Sequence, residues 1–414
     1  MTTTDSSSCP MHESFDPLSE ENLADPYPIQ CAVRGEAPAF YAPSIDMWVV
    51  SRYDDVEAIF KDPATFSASV SLAPVFPVDE RTKAILAGGY HASPVSVNCD
   101  PPKHTRLRLH NNAALSGRRI SYLEPKIWAK ATQIVDAIKP GRVDLVEALT
   151  YPLPTWVIFT FVGFPEEDHE QLKHWSDDRV IFGWGEPTPE KRREIATNMV
   201  DYWNYSVNFV AERAKDLRDD FTSDLLRLHH AKPDNPTLDE VTNMSYGFSF
   251  AGHETTTNFI SNTLRSLLTH RDQWEALCAD PSLIPNAIEE VLRFDNSIVS
   301  WRRITTRPVT IGGVDIPENA KILMLLGAAD RDPTHFENPD TLDVHRNNAK
   351  THLGFGRGIH YCIGATLARM ETRIALELLT SRAPELRIVD DQEFTFPPNI
   401  SFRGPHHLWV DWPS

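Results

Sequence analysis

Residues 352–369 read HLGFGRGIHYCIGATLAR, that is Phe355-x-x-Gly358-x-x-x-Cys362-x-Gly364 followed by an amphipathic helix. A cysteine in such a place is a buried small hydrophobe, a metal ligand or a nucleophile. Taken alone, Cys362 reads as the first, because free cysteine is among the most buried residue types. Its surroundings favour the second. Gly354, Gly356, Gly358 and Gly364 crowd one side chain, and glycines gather where backbone bends sharply or approaches a ligand closely. Cys362 also falls where a helix begins, so unpaired N–H groups and the positive helix end favour its thiolate. With no second Cys or His at zinc spacing, a lone thiolate makes a poor zinc site. It makes a good axial ligand for haem iron, where it pushes electron density towards O–O cleavage.

Upstream, PNAIEEVLR (285–293) has helical spacing, and Glu290 and Arg293 share a face at i,i+3. Such a pair is usually exposed and contributes under ~1 kcal/mol. Ser300 to Ile304 starts a strand, and Gly312-Gly313 and Pro317 mark hairpin turns. Further upstream, Thr237-Leu-Asp-Glu240 fits a capping box, with apolar spacing continuing to about His270. A run of ~32 residues spans roughly 48 Å, enough to cross a whole domain. Its middle reads Ala251-Gly252-His253-Glu254-Thr255-Thr256. Gly costs a helix about 1 kcal/mol, and consecutive threonines can bond back to the preceding turn and bend it. On its own this pattern is helix–helix packing through small residues.

In the N-terminal half, Phe40 to Ser51 alternates as a strand, and Tyr53-Asp54-Asp55 caps a helix with Val56, Ile59 and Phe60 on one face. Residues 67–97 form a long mixed segment, either a surface connector or a functional loop. Asp100-Pro101-Pro102-x-His104 opens a helix in which His104 and Arg108 lie one turn apart. Residues 125–178 read as helices with short connections. Gly and Pro break the pattern at 180–189, where Phe182 and Trp184 are packing residues or part of a lid.

The chain has 414 residues and a formal charge of −18, which argues against nucleic acid or an anionic membrane as the main partner. Its five cysteines (9, 31, 99, 278 and 362) are scattered and suggest no disulfide framework, as expected in a cytoplasmic protein. Residues 1–20 are polar, without a signal peptide or anchor, and are expected to be a disordered arm. No linker divides the rest, so 21–414 is expected to form one large, mainly α domain with small β-sheets.

The loop around Cys362 resembles the haem-ligand loop of the cytochrome P450 family. DPPxHxxxR, AGxET, ExxR, the ADRDPxxF meander and the loop itself occur in the family's order over about residues 25–410. The C-terminal third is similar to the haem domain of bacterial fusions carrying an FMN reductase and a 2Fe–2S ferredoxin. The resemblance implies the P450 fold, haem b, and Cys362 as iron ligand. It implies haem contacts from His104, Arg108, Ala251, Gly252, Arg303, Phe355, Gly358, His360 and Gly364, with Arg302 the competing register for Arg303. Glu254 and Thr255 would deliver protons, Ala251 and Gly252 would leave room for O2, and His253 would be structural. Glu290, Arg293 and Arg346 would form a buried structural triad. Val75, Phe182, Trp184, Phe250, Val299 and Ile400 would line the substrate pocket.

The implied reaction is insertion of one oxygen atom from O2 into a small organic, aromatic substrate, by hydroxylation or O-/N-dealkylation. NAD(P)H electrons would arrive through an FMN or FAD reductase and a 2Fe–2S ferredoxin on another chain or a fused domain. The expected protein is a cytoplasmic monomer without nucleic-acid or membrane partners. Lys103, Arg106, Arg118 and Arg119 are expected to form a docking face for an acidic donor. A peroxide-driven peroxygenase is disfavoured by the Glu254–Thr255 pair, and a haem-based sensor or carrier needs no such relay.

Overall fold

The computed structural model describes residues 15–231 and 235–413. Its axis is the helix Leu238–Thr269, opened by the capping box that its sequence predicts. The Glu240 N–H donates to Thr237 Oγ1 at 3.2 Å, and the Thr237 N–H donates to Glu240 Oε2 at 3.0 Å. Glu240 also binds Arg106 through both carboxylate oxygens, which ties the start of the central helix to helix Lys103–Ala114. Most of the central helix is buried. It packs on Pro152–Val162, Pro189–Arg213 and Ala365–Arg382. Ile260, Leu264 and Leu267 join Val157, Phe161 and Leu379 in the main core, each such side chain contributing roughly 1.5–3 kcal/mol on burial.

A five-stranded sheet flanks this helical body. Its order is Ala39–Ala42, Met47–Val50, Lys321–Leu325, Ser300–Thr305 and Phe66–Ser67. Met47–Val50 pairs in parallel with Lys321–Leu325, and the other pairs are antiparallel. The hairpin Val309–Ile311/Val314–Ile316 turns at Gly312 and Gly313, whose φ values of +57° and +84° suit glycine. A three-stranded sheet joins Gly141–Asp144, Trp409–Trp412 and Arg387–Ile388.

Several expectations shift. Residues 15–20 do not belong to a disordered arm, because Phe15 is buried edge-on against Phe40 and a helix starts at Glu20; residues 1–14 lie outside the described residues. Asp54 and Asp55 occupy the first turn of helix Tyr53–Lys61 without capping it. The Tyr53 N–H instead donates to the distant Asp332 carboxylate at 3.0 Å. Pro125 does not start a helix but lies inside Gly117–Ala137. Residues Arg179–Trp184 are helical despite Gly183, and Phe182 and Trp184 are both buried.

Candidate active site

The Cys362 loop is bent by its glycines. Gly356 and Gly358 have φ of +66° and +68°, and a Cβ on Gly358 would stand 2.5 Å from the Phe60 carbonyl oxygen. The Cys362 N–H donates to the Phe355 carbonyl at 2.9 Å and closes the loop. Helix Ala365–Arg382 has Gly364 as its N-cap, so Cys362 precedes the helix instead of sitting in its first turn. A Cβ on Gly364 would lie 4.0 Å from the sulfur. Burial raises the Cys362 thiol pKa, against the N–H groups of Gly364 and Ala365 and the cations Arg108 and Arg369, which lower it. Burial is the largest of these effects. Such a sulfur deprotonates outright when it coordinates a metal.

Beside the loop lies a cluster of basic side chains, His104, Arg303 and His360. The rings of His104 and His360 are 4.4 Å apart. Both nitrogens of each ring are buried without a completed hydrogen bond, although the backbone of Ile359 and of Ser96 approaches them. Burial, with Arg303 and His104 beside it, drives the His360 pKa down to about 3. Arg303 is buried and donates to Ser71 Oγ at 3.2 Å and the Arg302 carbonyl at 2.8 Å. Burial lowers its pKa to about 10, partly offset by Asp100. Buried cations are normally paired. A buried arginine and two histidines with open ring nitrogens therefore fit an anionic group such as the carboxylates of a haem. Arg108 donates to the Tyr361 carbonyl at 2.7 Å and, with Cys362, lines a groove of about 360 Å³.

The central helix brings its middle turn to the same region, with Phe259 meeting Phe355 of the loop edge-on at 6.4 Å. Ala251 is exposed and Thr255 half-buried within the middle of this largely buried helix, so that face borders open space. The Thr255 hydroxyl donates to the Ala251 carbonyl at 2.9 Å. Burial, helped by Asp177 and Asp178 and opposed by the nearby Asn258 amide, pushes the Glu254 pKa up to about 7. His253 is turned away, with Nδ1 bonded to the Ser249 carbonyl at 2.8 Å and Nε2 at 3.3 Å from Ser176 Oγ. Gly252 does not open room for a ligand: a Cβ there would stand 2.4 Å from Ile158 Cδ1, so its role is helix–helix approach.

Of the expected pocket residues, Trp184, Ile400, Val75 and Phe250 belong to one cluster. Val299 is buried near them by bonding the Ser401 carbonyl at 2.8 Å. Phe182 departs and packs with Ile195, Ala196 and Met199, because it faces helix Pro189–Arg213. The triad assembles: Arg293 binds Glu290 through two 2.8 Å bonds, and Arg346 Nε reaches the same carboxylate at 3.1 Å. The expected docking face is weaker, since Arg106 binds Glu240 and Arg119 binds Asp219 and Asp224. Sequence reasoning missed Glu289. Its oxygens bind both His352 and Arg369, and beside Glu290 in the motif nothing marks it out.

Residues 278–382 match the family description Cytochrome P450. The cytochrome P450 monooxygenase PikC of Streptomyces venezuelae is 35% identical over 405 residues, covering 95% of this chain and 93% of its own length. An intact type IV self-sufficient cytochrome P450 monooxygenase superposes with a TM-score of 0.94 at 39% identity, over 99% of this chain and 54% of that one. Cytochrome P450 CREJ, solved in complex with (4-ethylphenyl) dihydrogen phosphate, matches with a TM-score of 0.92 at 37% identity, over 97% of this chain and 99% of its own. The chain belongs to the cytochrome P450 family and is a monooxygenase of that family, and with membership comes a haem cofactor. No helix among the described residues is long and apolar enough to cross a membrane.

Proposed function

We propose that Cys362 would supply the thiolate ligand to a haem iron, that His104, Arg303 and His360 would hold the haem carboxylates, and that Glu254 and Thr255 would hold and move protons. The supporting observation is that the buried Arg303 and the unbonded ring nitrogens of His104 and His360 gather beside the loop cysteine. When bound, the haem supplies reductive activation of O2 and transfer of one oxygen atom to carbon.

The chain's own residues set the conditions for that chemistry. Phe355, with the Arg369 guanidinium 4.5 Å from its ring centroid, keeps water from the sulfur side. Arg108 steadies the loop through Tyr361. Thr255 spends its proton on the Ala251 carbonyl, so its lone pairs are left to accept a hydrogen bond. Glu254, with its pKa near 7, both yields and regains a proton near neutrality. This carboxyl–hydroxyl pair favours a reductase-driven enzyme over a peroxygenase or a carrier.

Residues 21–414 act as one haem domain in a cytoplasmic monomer. Electrons come from NAD(P)H through a flavin reductase and a 2Fe–2S ferredoxin, the arrangement supported by likeness to a self-sufficient enzyme. The substrate is a small aromatic compound, hydroxylated or O-/N-dealkylated in the apolar cluster of Val75, Trp184, Phe250 and Ile400. The aryl phosphate bound to CREJ supports this size and class. Relatives at 34% identity are named for vitamin D(3) and erythromycin, so pocket chemistry and not family decides.

The test is a ferric Soret titration with anisoles, guaiacols, alkylbenzenes, aryl phosphates, a secosteroid and a macrolide. A low- to high-spin shift with small aromatics alone is expected. A shift only with the large polycyclic or macrocyclic compounds overturns the substrate class.

A further inference from the structure

We infer that Glu289 is a positioning residue that holds the thiolate loop closed around Cys362 by gripping both of its ends. Helix Ile284–Phe294 carries two adjacent glutamates with different tasks. Glu290 serves the Arg293–Arg346 triad. Glu289 faces the loop: its Oε2 is 3.1 Å from His352 Nε2, while Arg369 donates to it through Nε at 2.5 Å and Nη2 at 2.7 Å. His352 begins the stretch that carries Cys362, and Arg369 lies in the helix that follows it.

The proton on His352 is assigned by its other bond. His352 Nδ1 accepts the Gly354 N–H at 3.0 Å, so in the neutral ring Nε2 carries the hydrogen and donates to Glu289. One side chain thus anchors the loop's entry and turns its first glycine. At the exit, Arg369 is bound by Glu289 in a two-point fork, geometry that fixes the guanidinium plane. From that plane Arg369 also donates to Tyr361 Oη at 3.2 Å and lies 4.5 Å from the Phe355 ring centroid. Tyr361 precedes the cysteine, and the Phe355 carbonyl accepts the Cys362 N–H. Removing the Glu289 carboxylate therefore loosens entry, exit and shield together, although its hydrogen bonds go to His352 and Arg369 and not to Cys362. Groups behind a metal ligand typically change metal affinity about 10–100-fold when lost.

The inference rests on Cys362 being the iron ligand, and the experiment separates the two. Haem transfer to an apo-haem acceptor and the ferrous–CO spectrum are measured for the wild-type holoprotein, Glu289→Ala, Glu289→Gln, Arg369→Lys and Glu377→Gln. Glu377 pairs with Arg373 farther along the same helix and serves as the control. The expected result is haem loss about 10–100-fold faster in Glu289→Ala, with part of the thiolate-type CO band converted to the form lacking thiolate. Glu289→Gln keeps a partner for His352 but not the charge for Arg369, and falls between. Arg369→Lys keeps the charge, loses the fork and moves the same way, which carries the test if Glu289→Ala does not fold. Glu377→Gln stays at wild type. Wild-type haem retention and CO band in Glu289→Ala, or in Arg369→Lys if only that folds, overturns the inference, as does an equal change in Glu377→Gln. A wild-type holoprotein without a thiolate-type band overturns the Cys362 reading instead.

Discussion

Arg302 and Arg303 are consecutive in strand Ser300–Thr305 and serve opposite sides of it. Arg303 lies beside His360 and Ser71 Oγ, whereas Arg302 donates to the carbonyls of Ala73 at 2.7 Å and Ser71 at 3.1 Å, with Trp184 5.4 Å from its guanidinium. Strand alternation turns the two side chains apart. Arg303→Ala is therefore expected to weaken haem retention about 10- to 100-fold, the loss of one or two charge-assisted hydrogen bonds. Arg302→Ala is expected to spare haem binding and speed proteolysis within residues 67–97. Haem-transfer kinetics and limited proteolysis read the two effects; the reverse pattern would place Arg302 at the haem.

Glu290 stands fully buried between Arg293 and Arg346, with Arg293 equally buried. Glu290 also accepts the Asp343 N–H at 3.0 Å, and Arg293 reaches the carbonyls of Asp330, Pro339 and Thr341. Removing the carboxylate leaves two cations without an anion. Glu290→Ala is expected to lose about 3–5 kcal/mol, read by urea unfolding. A loss below 1 kcal/mol would show that the backbone carbonyls alone suffice.

The parts legible in the sequence were those with local signals. The capping box at Thr237 and Glu240, the glycines before Cys362 and the Glu290–Arg293 spacing each lie within a few residues, where turn and helix geometry act directly. The missed parts depend on partners far along the chain. Arg106 looked like a free surface cation until Glu240, 134 residues away, met it. Glu289 has no local signal of its own beside Glu290, because its partner Arg369 lies 80 residues away. Gly252 read as space for O2, but only the packed fold shows Ile158 filling that direction. Phe182 and Trp184 differ by two residues, and their aromatic pattern leaves lid and packing roles open; helix geometry sends them to different clusters.

Cys362→Ser replaces the one sulfur of the loop by a weaker donor. The expected protein folds, because the loop is closed by the backbone bond from Cys362 to Phe355 and not by the side chain. It should show no thiolate-type ferrous–CO band. An unchanged band would remove Cys362 from the iron.

Thr255→Ala removes a hydroxyl whose proton is already committed to the Ala251 carbonyl, so helix and haem binding should survive. What is lost is the acceptor on the open side of the helix. NAD(P)H consumption with a surrogate redox chain should continue while product yield falls several-fold and hydrogen peroxide rises. Native coupling would remove the proposed role of Thr255.

Glu254 gives the pH dependence. Its pKa rises from 4.5 to about 7, first through burial and then through Asp177 and Asp178. The folded state therefore holds this proton more tightly than the unfolded chain between those two pH values. Stability falls as pH rises through that window and levels off above it, since its slope follows the protons bound by the unfolded state minus those bound by the folded state. Glu254→Gln carries no titrating proton, so the pH slope of its melting temperature should be flatter across the window, and it should match or exceed wild type above pH ~7. In turnover, the protonated fraction of Glu254 declines above pH ~7, so wild-type coupling should fall there, while the glutamine variant should be slow throughout and lack that inflection. Calorimetry of the haem-free chain and the pH profile of coupled turnover test the two arms separately. A wild-type melting profile with the same slope as Glu254→Gln would mean that Glu254 titrates as an ordinary carboxyl, and its place in the proton relay would go with it.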